Sequence, residues 1–181
     1  MLEKIIIAGS GGQGIMLLGK VLAEAAMKEN KFVTWLPAYG AEVRGGAAYC
    51  MVVISSKEIG SPYIDRSDAL IIMNALSVEK FKQRIRRNGL LIINSSLAKQ
   101  KCACPAKILR FPFTDIAVSL GNVKVANMSA LGCYLSEKKT VGLKSVLEVI
   151  QEMAPSGRKG LIEVNKKALF GWGRLVRIKN G

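Results

Sequence analysis

With 181 residues, 50% of them hydrophobic, the chain can bury one good core, and a single domain spanning residues 1–181 is expected. It carries 27 Lys and Arg against 13 Asp and Glu, a formal charge of +14, and no histidine. The missing histidine excludes any Ser–His or Cys–His relay within the chain and removes the commonest general base. Charge interrupts the apolar stretches well short of the ~20 residues a membrane span needs, and the start, Met1-Leu2-Glu3-Lys4, lacks the apolar region of a secretory signal. A cytoplasmic protein with no membrane partner is the expectation.

Strands and helices alternate along the chain. Lys4–Ala8 reads as a buried strand, because three consecutive isoleucines fill it, and Gly14–Lys28 as a helix rich in strong helix formers. Lys31–Leu36 is a second strand, closed by Pro37. Ala47–Ser55 alternates partly and turns at Ser56-Lys57-Glu58-Ile59-Gly60, which suggests a hairpin-like excursion. Asp68–Met73 is a buried strand ending at Asn74. Ser77 is placed to cap a helix running through Phe81 and Ile85 to Asn88, with Gly89 at its stop. Leu90–Asn94 is another buried strand, Lys107–Phe111 an edge-like one, and Thr114 caps a short helix to Leu120. Asn127–Glu137, Val141–Met153 and Leu161–Phe170 show the three- and four-residue spacing of helices. This order predicts an α/β fold: a mostly parallel, Rossmann-like sheet flanked by helices, with a C-terminal helical segment.

Two glycine-rich clusters carry the chemistry. Gly9-Ser10-Gly11-Gly12-Gln13-Gly14 lies between the first strand and the first helix, and Gly9, Gly11 and Gly14 satisfy G-x-G-x-x-G. That spacing lets backbone amides approach a ligand, or merely lets strand and helix pack closely. A dinucleotide site also needs an acid at the end of the second strand to hold the ribose hydroxyls. None is there, since the first candidate, Glu42, is well into the next loop. The second cluster, Tyr39-Gly40-Ala41-Glu42-Val43-Arg44-Gly45-Gly46, combines an aromatic ring, an acid, a guanidinium and three glycines. Arg44 can hold a carboxylate or phosphate through two parallel bonds, or pair with Glu42 to tie down the loop. Both clusters are expected beyond the carboxyl ends of adjacent strands, where open α/β sheets place their sites.

The four cysteines form no regular framework. Cys102-Ala103-Cys104 lacks the repeated C-x-x-C spacing of ferredoxin-type clusters, and Cys50 and Cys133 fall in apolar patterns as small core residues. No metal site is expected. Lys80, Lys82, Arg84, Arg86 and Arg87 crowd one expected helix, and Lys166, Lys167, Arg174, Arg177 and Lys179 crowd the tail. No nucleic-acid-binding motif accompanies them, so they read as solvated faces.

The two clusters together resemble the gamma subunit of the 2-oxoacid:ferredoxin oxidoreductases. The resemblance runs on through Ile59-Gly60-Ser61-Pro62, Asn94 and Asn127-Met128-Ser129-Ala130-Leu131-Gly132, and ends near Asn165 and Gly171. The wording around Trp35-Leu36-Pro37 is most similar to gamma subunits of 2-oxoglutarate and branched-chain 2-oxoacid (ketoisovalerate) enzymes, with pyruvate enzymes possible. The resemblance implies oxidative decarboxylation of a 2-oxoacid with coenzyme A, giving acyl-CoA, CO2 and reduced ferredoxin. It also implies alpha, beta and ferredoxin-like delta partners, which would hold thiamine diphosphate, Mg and iron–sulfur clusters, with none held by this chain alone. Under it the candidate cofactor-binding or interface residues are Gly9, Gly11, Gly12, Gln13, Gly14, Tyr39, Gly40, Glu42, Arg44, Gly45, Gly46 and Asn127. No catalytic residue and no activity of the chain alone are expected. The alternatives are a stand-alone nucleotide-binding oxidoreductase, which would bind its cofactor unaided, and a basic nucleic-acid-binding module, which would bind oligonucleotides in a salt-sensitive way.

Overall fold

The computed structural model describes residues 1–39, 47–154 and 159–179. Six strands form one sheet: β1 (Leu2–Ser10), β2 (Phe32–Tyr39), β3 (Ala47–Ser55), β4 (Ser67–Ile72), β5 (Ile85–Asn94) and β6 (Lys107–Phe111). Their spatial order is β2-β3-β1-β4-β5-β6. β1, β4, β5 and β6 pair in parallel, while β3 runs antiparallel to both its neighbours, β1 and β2. The helices are α1 (Ile15–Lys28), α2 (Ala75–Phe81), α3 (Phe113–Ser119), α4 (Ala126–Glu137), α5 (Leu143–Met153) and α6 (Lys159–Lys179). The mostly parallel sheet expected from the sequence is therefore present, with one reversed strand.

The central strands are apolar on both faces because both faces are covered. Along β1, Ile5 and Ile7 join one core while Ile6 and Ala8 join the other, the period-two alternation of a strand. The first core is the larger and takes in residues of α1, α3, α4, α5 and α6. Among the described residues, the second receives α2 and parts of the connections at 56–66 and 95–106. α4 is buried continuously from Ala126 to Tyr134, so it is apolar nearly all round, as a helix packed within a core must be. At Gly132 a Cβ would run into the Leu169 carbonyl, so glycine sets how closely α4 and α6 cross.

Several local expectations are corrected. Pro37 does not close the second strand; β2 continues to Tyr39, with Pro37 opposite Cys50. A proline is tolerated there because β2 is an edge strand. The segment after β3 makes no hairpin, because β1 lies between β3 and β4. The expected helix from Ser77 to Asn88 stops at Phe81, continues as one tight turn over Lys82–Arg84, and gives way to β5 at Ile85. Its cap is Asn74, which accepts a hydrogen bond from the Ser77 amide at 2.9 Å. Arg86 and Arg87 thus belong to a strand, and Arg86 is ion-paired with the buried Asp68. Thr114 does not cap α3, which starts at Phe113 behind Pro112.

Candidate functional site

β1 and β4 are neighbours, but the chain leaves β1 in one direction across the sheet, through α1 to β2, and reaches β4 on the other side. Their carboxyl ends therefore flank a topological switch point, the position where open α/β sheets leave a crevice. The glycine turn occupies it. β1 ends at Ser10, the Gln13 amide closes the turn on the Ser10 carbonyl at 3.2 Å, and Gly14 opens α1.

The four glycines of this turn divide by what surrounds them. A Cβ on Gly9 would lie 2.5 Å from Gln13 Oε1 and 2.7 Å from Ile15 Cδ1, so Gly9 is there for packing. Gly14 has φ 71°, and a Cβ on it would run into the Asn127 carboxamide. Gly12 needs glycine for its backbone, at φ 85°, yet has open space around it. Gly11 has neither constraint: its φ is ordinary and nothing lies within 4 Å of an added Cβ. The packing explanation of the motif holds for Gly9 and Gly14. Gly11 and Gly12 are exposed, where an incoming group can approach the backbone.

A network of neutral amides and hydroxyls holds the turn. Gln13 Oε1 accepts from the Ser10 amide at 2.7 Å, and its Nε2 donates to the Met73 carbonyl at 3.2 Å. Asn94 Nδ2 donates to the same carbonyl at 3.2 Å and to Thr114 Oγ1 at 2.8 Å, while its Oδ1 accepts from the Thr114 amide at 3.3 Å. Asn74 donates to the Ser10 hydroxyl. On the other side of the turn, Asn127 Nδ2 donates to the Gly14 carbonyl at 3.1 Å. Asn127 is buried, so it ties α4 to the start of α1 and does not reach outward. The carboxyl ends of β1, β4 and β5 and the starts of α1, α3 and α4 are thus fastened to one another. α1 itself begins with no side-chain cap and no acid in its first turn. Its free amides are the kind of donors that suit an anionic group.

Beside the turn is a cavity of about 140 Å³, with Gly12, Gln13, Leu97, Thr114 and Lys124 among its lining residues. Met73, Asn74, Asn94, Thr114 and Lys124 belong to this edge although sequence reasoning gave them no site role. The available signal was an asparagine at the carboxyl end of each of two buried apolar runs. Tyr39 is the last residue of β2, and Ala47, where the chain re-enters the sheet, pairs with Ser10. Gly40, Glu42, Arg44, Gly45 and Gly46 lie outside the described residues. The clusters leave β1 and β2, which are not adjacent as expected: β3 separates them, since β2 folds back on β3 at the sheet edge.

The donor chemistry of the described residues does not suit a resident metal or cluster. Burial pushes the Cys50 and Cys133 thiols up to about 12, which keeps them protonated and poor as ligands. Cys102 and Cys104 are half-buried and number only two, and among the described residues no three His, Cys, Asp or Glu converge. No helix among the described residues is long and apolar enough to cross a membrane.

The family model for pyruvate ferredoxin/flavodoxin oxidoreductase matches residues 4–170. The chain is 34% identical over 168 residues to ketoisovalerate oxidoreductase subunit VorA of Methanothermobacter marburgensis, a match covering 92% of this chain and 35% of VorA. It therefore spans about a third of the length of that relative. It is 31% identical over 172 residues to 2-oxoglutarate synthase subunit KorC of Methanocaldococcus jannaschii, with 92% of each chain covered. The crystal structure of a keto/oxoacid ferredoxin oxidoreductase gamma subunit from Geobacter sulfurreducens PCA superposes with a TM-score of 0.83 at 26% identity, covering 97% of this chain and 99% of that one. With a family match running from the first strand into the last helix, and a fold shared with a gamma subunit almost end to end, the chain belongs to the pyruvate ferredoxin/flavodoxin oxidoreductase family.

Proposed function

We propose that this chain is the gamma subunit, acting as one domain over residues 1–181, of a cytoplasmic 2-oxoacid:ferredoxin oxidoreductase. The complex converts a 2-oxoacid and coenzyme A to acyl-CoA and CO2 and passes electrons to ferredoxin. The observation that carries this reading is the family match over residues 4–170, which contains the whole carboxyl-edge network. 2-Oxoglutarate or a branched-chain 2-oxoacid is the favoured substrate class, and pyruvate is the third to test. The names of VorA and KorC support that order.

In this reading thiamine diphosphate, Mg and iron–sulfur clusters belong to the alpha, beta and delta partners; in support, among the described residues the thiols and acids do not converge on a ligand set. When bound there, thiamine diphosphate supplies the carbanion chemistry. The part of this chain is to complete the assembly and to shape the approach to the active site. Gly11 and Gly12, with their open surroundings, offer backbone to coenzyme A or to a partner subunit. Gln13, Gly9, Gly14 and Asn127 hold that backbone in place. Tyr39, Gly40, Glu42, Arg44, Gly45 and Gly46 are assigned to the second part of the contact, with Arg44 as its cation and Glu42 as its acid.

The test is reconstitution with alpha, beta and delta, following 2-oxoacid- and coenzyme A-dependent reduction of a viologen dye. Turnover is expected only when all four chains are present. Within the complex Arg44→Ala is expected to lower turnover by a factor of about 30 or more, the effect of removing a charge-assisted hydrogen bond from a buried interface. Lys144→Ala, on the exposed surface of α5, is expected to leave it unchanged. Arg86 does not serve as that control, because it neutralises the buried Asp68. Full turnover without this chain would refute the proposal.

A further inference from the structure

The opposite, amino edge of the sheet has a different chemistry. Lys57 follows β3, Arg66 precedes β4, Arg84 precedes β5, and Arg86 and Arg87 lie in its first residues. The buried acids at this edge are already engaged: Glu3 with Lys138 at 3.2 Å, and Asp68 with Arg86 and with the Lys4 amide at 2.7 Å. Glu58 and Asp65 are the exposed acids on these connections. Excess positive charge therefore faces outward.

The patch is also cross-braced. The Arg84 guanidinium donates to the Ile64 carbonyl and, at 3.3 Å, to the Asp65 carbonyl, and it lies 5.3 Å from the Tyr63 ring centre. Arg66 donates to the Gln83 carbonyl. Tyr63 is 58% exposed although it is held by the stacked cation, and beside it opens a cavity of about 430 Å³ lined by Lys4, Lys57, Ile59 and Tyr63. An exposed aromatic side chain braced by arginine and next to a recess has the aromatic–arginine pairing enriched at protein interfaces, and the cations around it have the character of a charged rim. Arg66 and Arg84 are spent sideways on backbone carbonyls and Arg86 on the Asp68 carboxylate. They do not converge into a cradle for one small anion. Ile59, Gly60 and Ser61, which the carboxyl-edge site leaves without a role, line this recess.

From this charge and shape, we infer that the amino edge around Tyr63, Lys57 and Arg87 is the docking surface for an acidic face of a partner subunit in the assembly. The inference rests on the proposed subunit role. Glycine-turn contacts lie at one end of the sheet and partner docking at the other, so the chain bridges two parts of the complex.

The experiment measures assembly of the chain with its alpha, beta and delta subunits by light scattering and sedimentation, at low and high salt. Lys57→Glu/Arg87→Glu is expected to weaken assembly about tenfold or more at low salt, and Tyr63→Ala to weaken it at both salt concentrations. Lys144→Glu/Lys167→Glu, on α5 and α6, carries the same change of charge and is expected to assemble like the wild type. Thermal melts establish that each variant is folded. If the charge reversal unfolds the chain, Tyr63→Ala alone decides. Assembly equal to wild type for both amino-edge changes overturns the docking surface and leaves the subunit role standing. Failure of the wild-type chain to assemble overturns the subunit role and this inference with it. Binding of a mixed-sequence oligonucleotide that Lys57→Glu/Arg87→Glu abolishes, with assembly unchanged, gives the patch to nucleic acid and also overturns it.

Discussion

The two edges of this sheet are built from different materials. The carboxyl edge is fastened by Ser10, Gln13, Asn74, Asn94, Thr114 and Asn127, all neutral. The amino edge is fastened by ion pairs: Glu3 with Lys138, Asp68 with Arg86, Glu29 with Lys31, and Glu137 with Lys107. A neutral network fixes geometry without adding a field, so the free amides at the start of α1 can answer to an incoming charge. Ion pairs pin the other edge and leave it sensitive to pH and salt.

The sharpest way to break the comparison is at Gly14. Gly14→Ala combines a left-handed backbone with a clash against Asn127 and is expected to cost about 2–4 kcal/mol in chemical denaturation. Gly11→Ala, with open space around it, should stay within about 0.5 kcal/mol. If the exposed turn is a contact, Gly11→Ala lowers turnover of the reconstituted complex without touching stability. Equal stability of the two variants would refute the division of the glycines.

Asn94→Ala comes next, at about 2–3 kcal/mol, because it strips the Thr114 amide and hydroxyl of their partner beneath the cleft. No titratable group enters that network, so the loss should be the same in acid as at neutral pH. A loss that varied with pH would show that the edge is not neutral in function.

At the amino edge, effects should be smaller and should depend on pH. Burial pushes the Glu29 carboxyl up, but hydrogen bonds from Lys31, the Gly142 amide and the Ser145 hydroxyl outweigh it and leave the group below 4.5. Glu29 thereby caps α5, and Glu29→Gln should cost about 1 kcal/mol at neutral pH. Because its folded value is depressed, this contribution is present above 4.5 and lost as pH falls through the folded value.

The smallest effect is the most diagnostic. Burial raises the Glu3 carboxyl above 4.5, opposed by Lys138. The folded state then keeps its proton longer than the unfolded chain does, so its contribution falls as pH rises from about 4.5 through the raised value. Urea titrations in mildly acidic buffers should show this slope in the wild type and not in Glu3→Gln. The same slope in both would remove Glu3 as its source.

The sequence by itself determined the elements whose residues agree with their surroundings. Three isoleucines and the following glycines set the first strand and turn, and β3 runs from Ala47 to Ser55 as the pattern predicts. Local pattern failed where a partner overruled it. Phe81 and Ile85 stand at helical spacing, yet strand pairing draws Ile85 to Asn88 into β5, where Ile85 lies opposite Ser67. Pro37 reads as a stop until the open edge beside β2 is known. Gly9, Gly11 and Gly14 are equal members of one motif in the sequence, and only the packed structure separates the two that accommodate neighbours from the one that faces open space. The charge of +14 was plain from composition, but the gathering of Lys57, Arg66, Arg84, Arg86 and Arg87 at the amino edge was not. That placement depends on which strand ends the topology gathers together, and on the burial of Glu3 and Asp68, which turns two acids inward and leaves the cations outside.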